Sequence, residues 1–534
     1  MKKNKLFILI SIITINLFFS CVNSSHENKK YIFRYNESSG ITSLDPIFSN
    51  TKSNIWAVNH IFNGLVDLDE NLNIIPSIAK SWAFDEKLLE YKFILRDDVY
   101  FHESEFFKNN KKTRRVVASD FIYSFNRIKD DKFSSPGRWV MDYFLDDYPF
   151  REINDTILII RLKEPFPSVI NILAMKYFSV VPKEVVENQN FSKNPVGTGP
   201  FKFKYWMDNV KLVLLKNKNY FEFEKNYRLP YLDAINISFI KNPESLFINF
   251  LQSKIDFVSG HYPIFQEEFL TTNGEMKSEY NKLFFLEKTP YLNTEFLAFN
   301  IDKCIQDQSI LANLNIRKAL NYSVNKYEMI KYLRKNMVFP ANAGIVPDFL
   351  SNYNLKAFSY NLDSINNLLK LDKPLHSTID LFTTPEYLDI CEYLQSNFSE
   401  IGIDLNIKVN TPSVHRELVS SGSACFFRGS WIADYPDPEN YLQLFITKNK
   451  SPIGSNRTHF SNLYFDSLYN ETFLIKDHKV RNDIFYRMEK ILMDTAILIP
   501  LYYDMAVRFI SKDIEDFSVN SMNILSLKKV KKHL

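Results

Sequence analysis

The stretch Tyr91-Lys92-Phe93-Ile94-Leu95-Arg96 is short and dominated by aromatic and branched side chains, the composition of a β-strand. Thr156 to Leu162, Val210 to Leu215, Ala234 to Ile240 and Asp404 to Val409 read the same way. Segments with helical spacing lie among them. Ser119 is expected to cap a helix that carries Phe121, Ile122, Phe125 and Ile128 on one face. Ile316 to Leu333 and Arg481 to Met493 keep the same spacing, and in the second Ile484, Phe485, Met488, Ile491 and Leu492 form the stripe. Such stripes are core faces rather than ligand sites. Strands and helices alternate to the end of the chain with no repeat and no low-complexity linker. The class is α/β.

The first 21 residues read as an export signal. Lys2, Lys3 and Lys5 form a basic start, Leu6 to Phe19 is largely apolar, and Ser20-Cys21 closes the run. A membrane-spanning helix needs about 20 apolar residues, more than this run supplies. A cysteine at this place is expected to be lipidated and to become the first residue of the mature chain. Val22 to Lys30 then reads as a short polar tether. No later segment holds 18 apolar residues in a row, so the remainder is expected to be soluble, at the periplasmic side or cell surface of the envelope.

The whole chain carries 65 Lys and Arg against 62 Asp and Glu, and loss of the three leader lysines leaves it neutral. Nucleic-acid binding needs a basic surface, which this balance does not provide. Charge-driven membrane attachment is disfavoured for the same reason. Cys304, Cys391 and Cys425 follow Cys21; they allow one disulfide, and their spacing does not choose it. A chain of 534 residues exceeds what one core usually serves, so two or three domains are expected.

Only 12 glycines occur, and two stand in Asn194-Pro195-Val196-Gly197-Thr198-Gly199-Pro200. A phosphate-cradling loop needs a helix behind it. Here Phe201-Lys202-Phe203-Lys204-Tyr205 alternates as a strand does, so the turn is a structural corner. No metalloprotease, serine-hydrolase, nucleotide-binding or Cys-x-x-Cys motif is present. His415 and Glu417 are too closely spaced to suggest a metal pair. The reading is of a chain with no catalytic residues, no metal site and no cofactor.

One segment stands apart: Arg428-Gly429-Ser430-Trp431-Ile432-Ala433-Asp434-Tyr435-Pro436-Asp437-Pro438. Ala424 to Phe427 before it is strand-like, and two prolines within four residues make the end a rigid loop. This reads as a recognition site in which charges of opposite sign flank flat aromatic walls. It reads equally as Trp431 in a core, Asp434 capping a turn and Arg428 in solvent.

Several motifs, taken in order, resemble the extracytoplasmic solute-binding proteins of ABC importers for peptides and nickel, solute-binding protein family 5. They are Ser43-Leu44-Asp45-Pro46, Ile61-Phe62-Asn63-Gly64-Leu65, Ile75 to Trp82, Tyr91 to His102, Ala118 to Ser124, Gly197 to Pro200 and Trp431 to Pro438. The resemblance runs from about Tyr35 to Met522 and is closest to the oligopeptide-binding members. It departs at Glu103 to Arg115, which is longer and more basic than the usual turn.

The resemblance implies a two-lobed, type II periplasmic-binding-protein-like fold with an inserted domain. After the signal peptide at 1–21, the first lobe would comprise 22–60, 180–285 and 490–534. The insertion would be 61–179 and the second lobe 286–489. Asp434 would pair with the α-amino group of a peptide and Arg428 with its carboxylate. Gly429, Trp431 and Tyr435 would complete the ligand-contacting set. The implied partners are a peptide, the permease subunits of an ABC importer, and the membrane through the lipid on Cys21, with the protein a monomer. A nickel complex, haem or a sugar is the alternative cargo. A disulfide of some relatives would fall at Asn293 and Ile432, neither of which is cysteine. A carboxylate-binding histidine of others falls at Leu388, with Arg334 as its candidate substitute.

Overall fold

The computed structural model describes residues 30–351, 353–371 and 377–533; the leader and Cys21 lie outside the described residues. The strands that organise the fold are β1 (Ile32–Asn36), β2 (Ala79–Asp85), β3 (Glu90–Leu95), β4 (Phe150–Asn154), β5 (Ile157–Arg161), β6 (Phe201–Met207) and β7 (Lys211–Lys216). They continue with β8 (Ala234–Ser238), β9 (Phe257–Ser259), β10 (Phe284–Phe299), β11 (Ser377–Thr383), β12 (Ile403–Val409), β13 (Phe426–Ile432) and β14 (Leu498–Ser511). The helices needed below are α1 (Lys52–Ile61), α2 (Ala118–Lys129), α3 (Leu314–Ser323), α4 (Lys326–Arg334), α5 (Leu388–Ser399), α6 (Glu439–Leu442) and α7 (His478–Asp494). All five stretches expected as strands are strands.

A single mixed sheet runs in the order β12-β11-β13-β10-β14-β9-β1-β8-β7-β6, and β2-β3-β5-β4 make a separate four-stranded sheet. β10 and β14 hold 16 and 14 residues and pair antiparallel at the centre. At about 3.4 Å per residue the longer spans roughly 50 Å, enough to cross both halves of the molecule. Their register slips between Pro290 and Thr294 and again between Glu295 and Phe296. Slips of this kind bend a sheet, and here they fall where β10 passes from one core, with Phe284, to another, with Leu292 and Phe296. One core, containing Phe33, Tyr35, Phe121 and Phe125, continues unbroken from β1 into α2 beside the four-stranded sheet. Two further cores flank β13, one with Tyr441 and α7, the other with α3 and α5.

Three local expectations are corrected. The α2 cap is not Ser119, which is exposed in the first turn; the Asp120 carboxylate accepts the Val117 N–H at 2.9 Å. Arg114 grips that carboxylate at 2.7 and 2.8 Å while also bonding Glu184, so the basic loop from Glu103 to Arg115 ties α2 down. The run from Ile316 to Leu333 is two helices, α3 and α4, because Asn325 breaks it and caps the second. Strand β13 extends beyond Phe427 to Ile432, so Arg428, Gly429 and Trp431 are strand residues, and only Asp434 and Tyr435 lie in the loop.

The cysteine pair is Cys304–Cys425, separated by 121 residues, with Cys391 free and buried. It closes the Phe299↔Phe426 end of the β10–β13 pair, opposite the Asn293↔Ile432 end. Cross-links over long loops stabilise by about 2–4 kcal/mol, mainly by restricting the unfolded chain. Cys425→Ser is therefore expected to lower the melting temperature by several degrees without changing ligand affinity. Thermal unfolding with and without reductant checks this, and an unchanged transition would refute it.

Candidate functional site

Strand alternation sorts the conspicuous residues onto two faces. Glu295 of β10 lies opposite Ser430, and Leu297 opposite Arg428, so Arg428 shares a face with Glu295, while Trp431 points the other way beside Thr294. On the first face, Arg428 donates through Nε and Nη2 to Glu295 Oε2 at 3.0 and 2.5 Å and lies over the Tyr387 ring at 3.5 Å. The Glu295 side chain is 3 % exposed and that of Arg428 is 14 % exposed. Arg428 thus has an internal counter-ion that the sequence did not reveal. His415 bonds the Arg428 carbonyl at 2.9 Å, so its ring serves the strand and not a metal. Gly429 faces Phe296 across the strands, and a Cβ there would meet that ring at 2.7 Å.

On the second face Trp431 packs against the α7 core and donates Nε1–H to Asn440 Oδ1 at 2.9 Å. The chain leaves the sheet after Ile432, and Asn440 at the start of α6 holds the loop in place. Its Oδ1 also accepts the Asp434 N–H at 3.1 Å, and its Nδ2 approaches Asp434 Oδ2 at 3.5 Å. Asn440 is fully buried, so its amide is committed to this loop. Tyr435 is buried too, and its hydroxyl donates to Glu439 Oε2 at 2.5 Å. Tyr469 donates to the other oxygen of Glu439. Burial, aided by nearby Asp437, pushes the Glu439 carboxyl up to about 7, which favours its neutral form in this apolar setting.

Asp434 differs from its neighbours. It is exposed and has no ion-pair partner among the described residues. Burial of its surroundings raises its pKa, opposed by the Asn440 amide. A cavity of about 80 Å³ opens beside it, walled by Ile55, Ala174, Met175, Tyr177, Met522 and Ile524 among others. Lys176 also borders the cavity, but its ammonium is held by Asp67 at 3.2 Å. A carboxylate without a cation, on a loop anchored through its backbone and beside a mostly apolar cavity, is suited to an ammonium carried by a small molecule.

The loop also joins the two halves. Asp437 accepts two bonds from Arg481 of α7, at 2.7 and 3.1 Å, and one from Ser168 Oγ at 2.7 Å. Ser168 belongs to the part packed with the four-stranded sheet and also accepts from Arg481 at 3.2 Å. Phe166 packs edge-on against Tyr435 and Phe473 beside it. Breaking a buried ion pair leaves one charge uncompensated and costs about 3–5 kcal/mol. Asp437→Asn is expected to lower the unfolding free energy by an amount in that range, whereas Ser168→Ala should cost about 1 kcal/mol. Denaturant titration of both variants checks the order, and equal midpoints would contradict it.

Asn440, Asp437, Glu439 and Glu295 carry no role read from the sequence, although Asp437 stands inside the conspicuous segment. The first three stand among or directly after the prolines of the conspicuous segment, where side chains that bond the backbone are common. Glu295 carries no local signal.

The model for the middle region of bacterial extracellular solute-binding proteins, family 5, matches residues 73–452. The dipeptide-binding protein DppE of Bacillus subtilis is 23% identical over 95% of this chain and 92% of its own length. Heme-binding protein A of Haemophilus influenzae is 24% identical over 86% of this chain and 84% of its own. Among solved structures, the Helicobacter pylori periplasmic binding protein DppA in complex with the peptide STSA superposes with a TM-score of 0.74 at 22% identity, covering 96% of this chain and 100% of that one. The two-lobed fold is therefore shared. Long spanning strands, an inter-lobe loop and a family match over most of the length converge: this chain belongs to the bacterial extracellular solute-binding proteins of family 5, a family that serves solute transport.

Proposed function

We propose that this protein is an oligopeptide-binding lipoprotein that captures peptides between its lobes and delivers them to an ABC importer. The observation that carries the reading is the uncompensated Asp434 carboxylate, held by Asn440 at the lobe boundary beside a mostly apolar cavity. A peptide's α-ammonium supplies the missing charge, and the first side chain enters the cavity. Tyr435 and Trp431 brace the loop that carries Asp434. Arg428 receives the ligand carboxylate at the other end, sharing its guanidinium with Glu295. Relatives named for dipeptide and oligopeptide binding support the same cargo. The expected division into 22–60, 180–285 and 490–534 for one lobe, 61–179 for the insertion and 286–489 for the other belongs to this proposal. So do export by residues 1–20, lipid attachment at Cys21 and a monomeric state.

Native mass spectrometry of the mature protein, purified without refolding, tests the cargo. The expected result is a set of adducts with peptide masses, lost after unfolding and dialysis. A single adduct of haem mass would instead support the second reading, favoured by the likeness to heme-binding protein A, in which the same trap carries a non-peptide solute.

A further inference from the structure

At the centre of the long strand pair, two carboxylates share one amide, and a guanidinium bonds only one of them. Glu295 Oε2 takes both bonds from Arg428, while Oε1 accepts from Asn293 Nδ2 at 3.2 Å and from the Tyr387 hydroxyl at 3.3 Å. The same Asn293 amide donates to Asp504 Oδ2 at 2.5 Å. Asn293, Glu295 and Asp504 come from adjacent strands β10 and β14, Arg428 from β13 on the other side. The next charges outward do not restore the balance. Arg334 is paired with Asp389 at 2.6 Å. His261, which faces Asp504, is itself kept towards neutrality by burial. Tyr502 and Tyr291 complete the surroundings as neutral hydroxyls whose ionisation burial suppresses. The cluster therefore holds one more acid than base. Arg428 presents only Nε and Nη2 to Glu295, and its Nη1 has no protein hydrogen bond among the described residues.

We propose that Glu295 is the positioning residue for the carboxylate end of the site: it orients Arg428 in the empty cleft and takes up one proton from solvent when a ligand carboxylate settles on the Nη1 edge. The proposal rests on the reading that Arg428 receives that carboxylate. The reason is electrostatic. A third carboxylate beside a largely buried pair competes for the same guanidinium, and protonating Glu295 relieves the repulsion at the cost of one accepted bond. The longest is that from the Tyr387 hydroxyl, which can rotate to accept the new proton. Burial foremost, with Asp504 adding to it against the opposing pull of Arg428, already raises the Glu295 carboxyl to about 7. A ligand carboxylate raises it further. Between those two values the complex holds a proton that the free protein has released, so affinity for a free carboxylate falls as pH rises above about 7, by up to about tenfold per pH unit. Well below that value both states are protonated and the dependence vanishes.

The test is titration calorimetry from pH 6 to 8.5 in two buffers of different ionisation enthalpy. The probes are tri-, tetra- and penta-alanine and their C-terminal amides. The amides carry the same ammonium and drive the same closure, so subtraction isolates the carboxylate end. The expected result is proton uptake at pH 7.5–8 for the acids in excess of the amides, with Glu295→Gln binding the acids but losing the excess. Equal uptake by acids and amides, or an excess that persists in Glu295→Gln, overturns the proposal; should the variant fail to fold, the wild-type subtraction decides alone. If Arg428→Met leaves the preference for acid over amide unchanged, the underlying reading of Arg428 fails with it. If no oligoalanine binds, the peptide reading fails and the proposal falls too.

Discussion

Asp434→Asn is expected to weaken binding of a free-amine tetrapeptide by roughly 30- to 150-fold, about 2–3 kcal/mol, while leaving the melting temperature of the empty protein nearly unchanged. Truncating one partner of a buried, hydrogen-bonded charge pair costs about 2–5 kcal/mol. Asp434 remains open to the cleft, which places the effect at the low end of that range. Stability should barely move, because Asn440 supports the loop chiefly through the Asp434 backbone N–H and the Trp431 indole, and both survive the substitution. The same change should abolish discrimination between a peptide and its N-acetylated form. Acid should mimic it in the wild type. Burial raises the Asp434 carboxyl, opposed by the Asn440 amide, so protonation sets in at a higher pH than for an ordinary aspartate and affinity falls as pH drops through it; the asparagine variant should be flat there. Isothermal titration of acetylated and free peptides on both proteins measures all three, and an undiminished affinity in Asp434→Asn would remove the anchor from the proposed function.

Gly199→Ala is expected to be among the most disruptive single changes outside the site, lowering stability by at least about 3 kcal/mol. A Cβ on Gly199 would lie 2.4 Å from the Ile61 carbonyl carbon and 2.7 Å from the His60 carbonyl oxygen, and one on Gly197 would lie 2.1 Å from the Ile61 oxygen. These are backbone atoms at the end of α1, which have no rotamer to turn away. The corner is also pinned by polar contacts: Gly199 donates to Ile61 O at 2.8 Å, and its carbonyl receives His102 Nε2 at 2.9 Å and Asn217 Nδ2 at 3.0 Å. Gly64→Ala is the control. A Cβ there would meet only ordinary contacts of 3.5 Å and beyond, so its cost should stay under about 1 kcal/mol. Chemical denaturation of the two variants separates them, and similar midpoints would show that the corner yields where the geometry says it is rigid.

The corner illustrates how far local pattern reaches. Gly-Thr-Gly-Pro was legible as a turn into a strand, because Phe201 to Tyr205 carries its own alternation. Why both glycines are needed was not, because the answer is the backbone of Ile61, about 135 residues earlier. The segment from Arg428 to Pro438 divides the same way. Its prolines announced a rigid loop, and Asp434 does stand on one. Arg428, read either as a ligand partner or as a solvated side chain, lies within β13 paired with Glu295, which neither reading contained, and Trp431 packs against the core, as one of the two readings had it.

What the sequence determined by itself is what short-range pattern encodes. The positions of β3, β5, β7, β8 and β12, the faces of α2 and α7, and the membership of a family follow from side chains within one element, or from motifs in fixed order. Tertiary structure decided the partners. Glu295 meets Arg428 across 133 residues, and Cys304 meets Cys425 across 121. Ser168 reaches Asp437 across 269. The physical reason is that alternation and helical period are properties of a chain's own backbone geometry, whereas hydrogen bonds, ion pairs and disulfides depend on the register in which distant strands are laid side by side. Asp434 could be named from the sequence; that it faces the cleft without a cation could be learned only once Arg428, Arg481 and Lys176 had found their own acids.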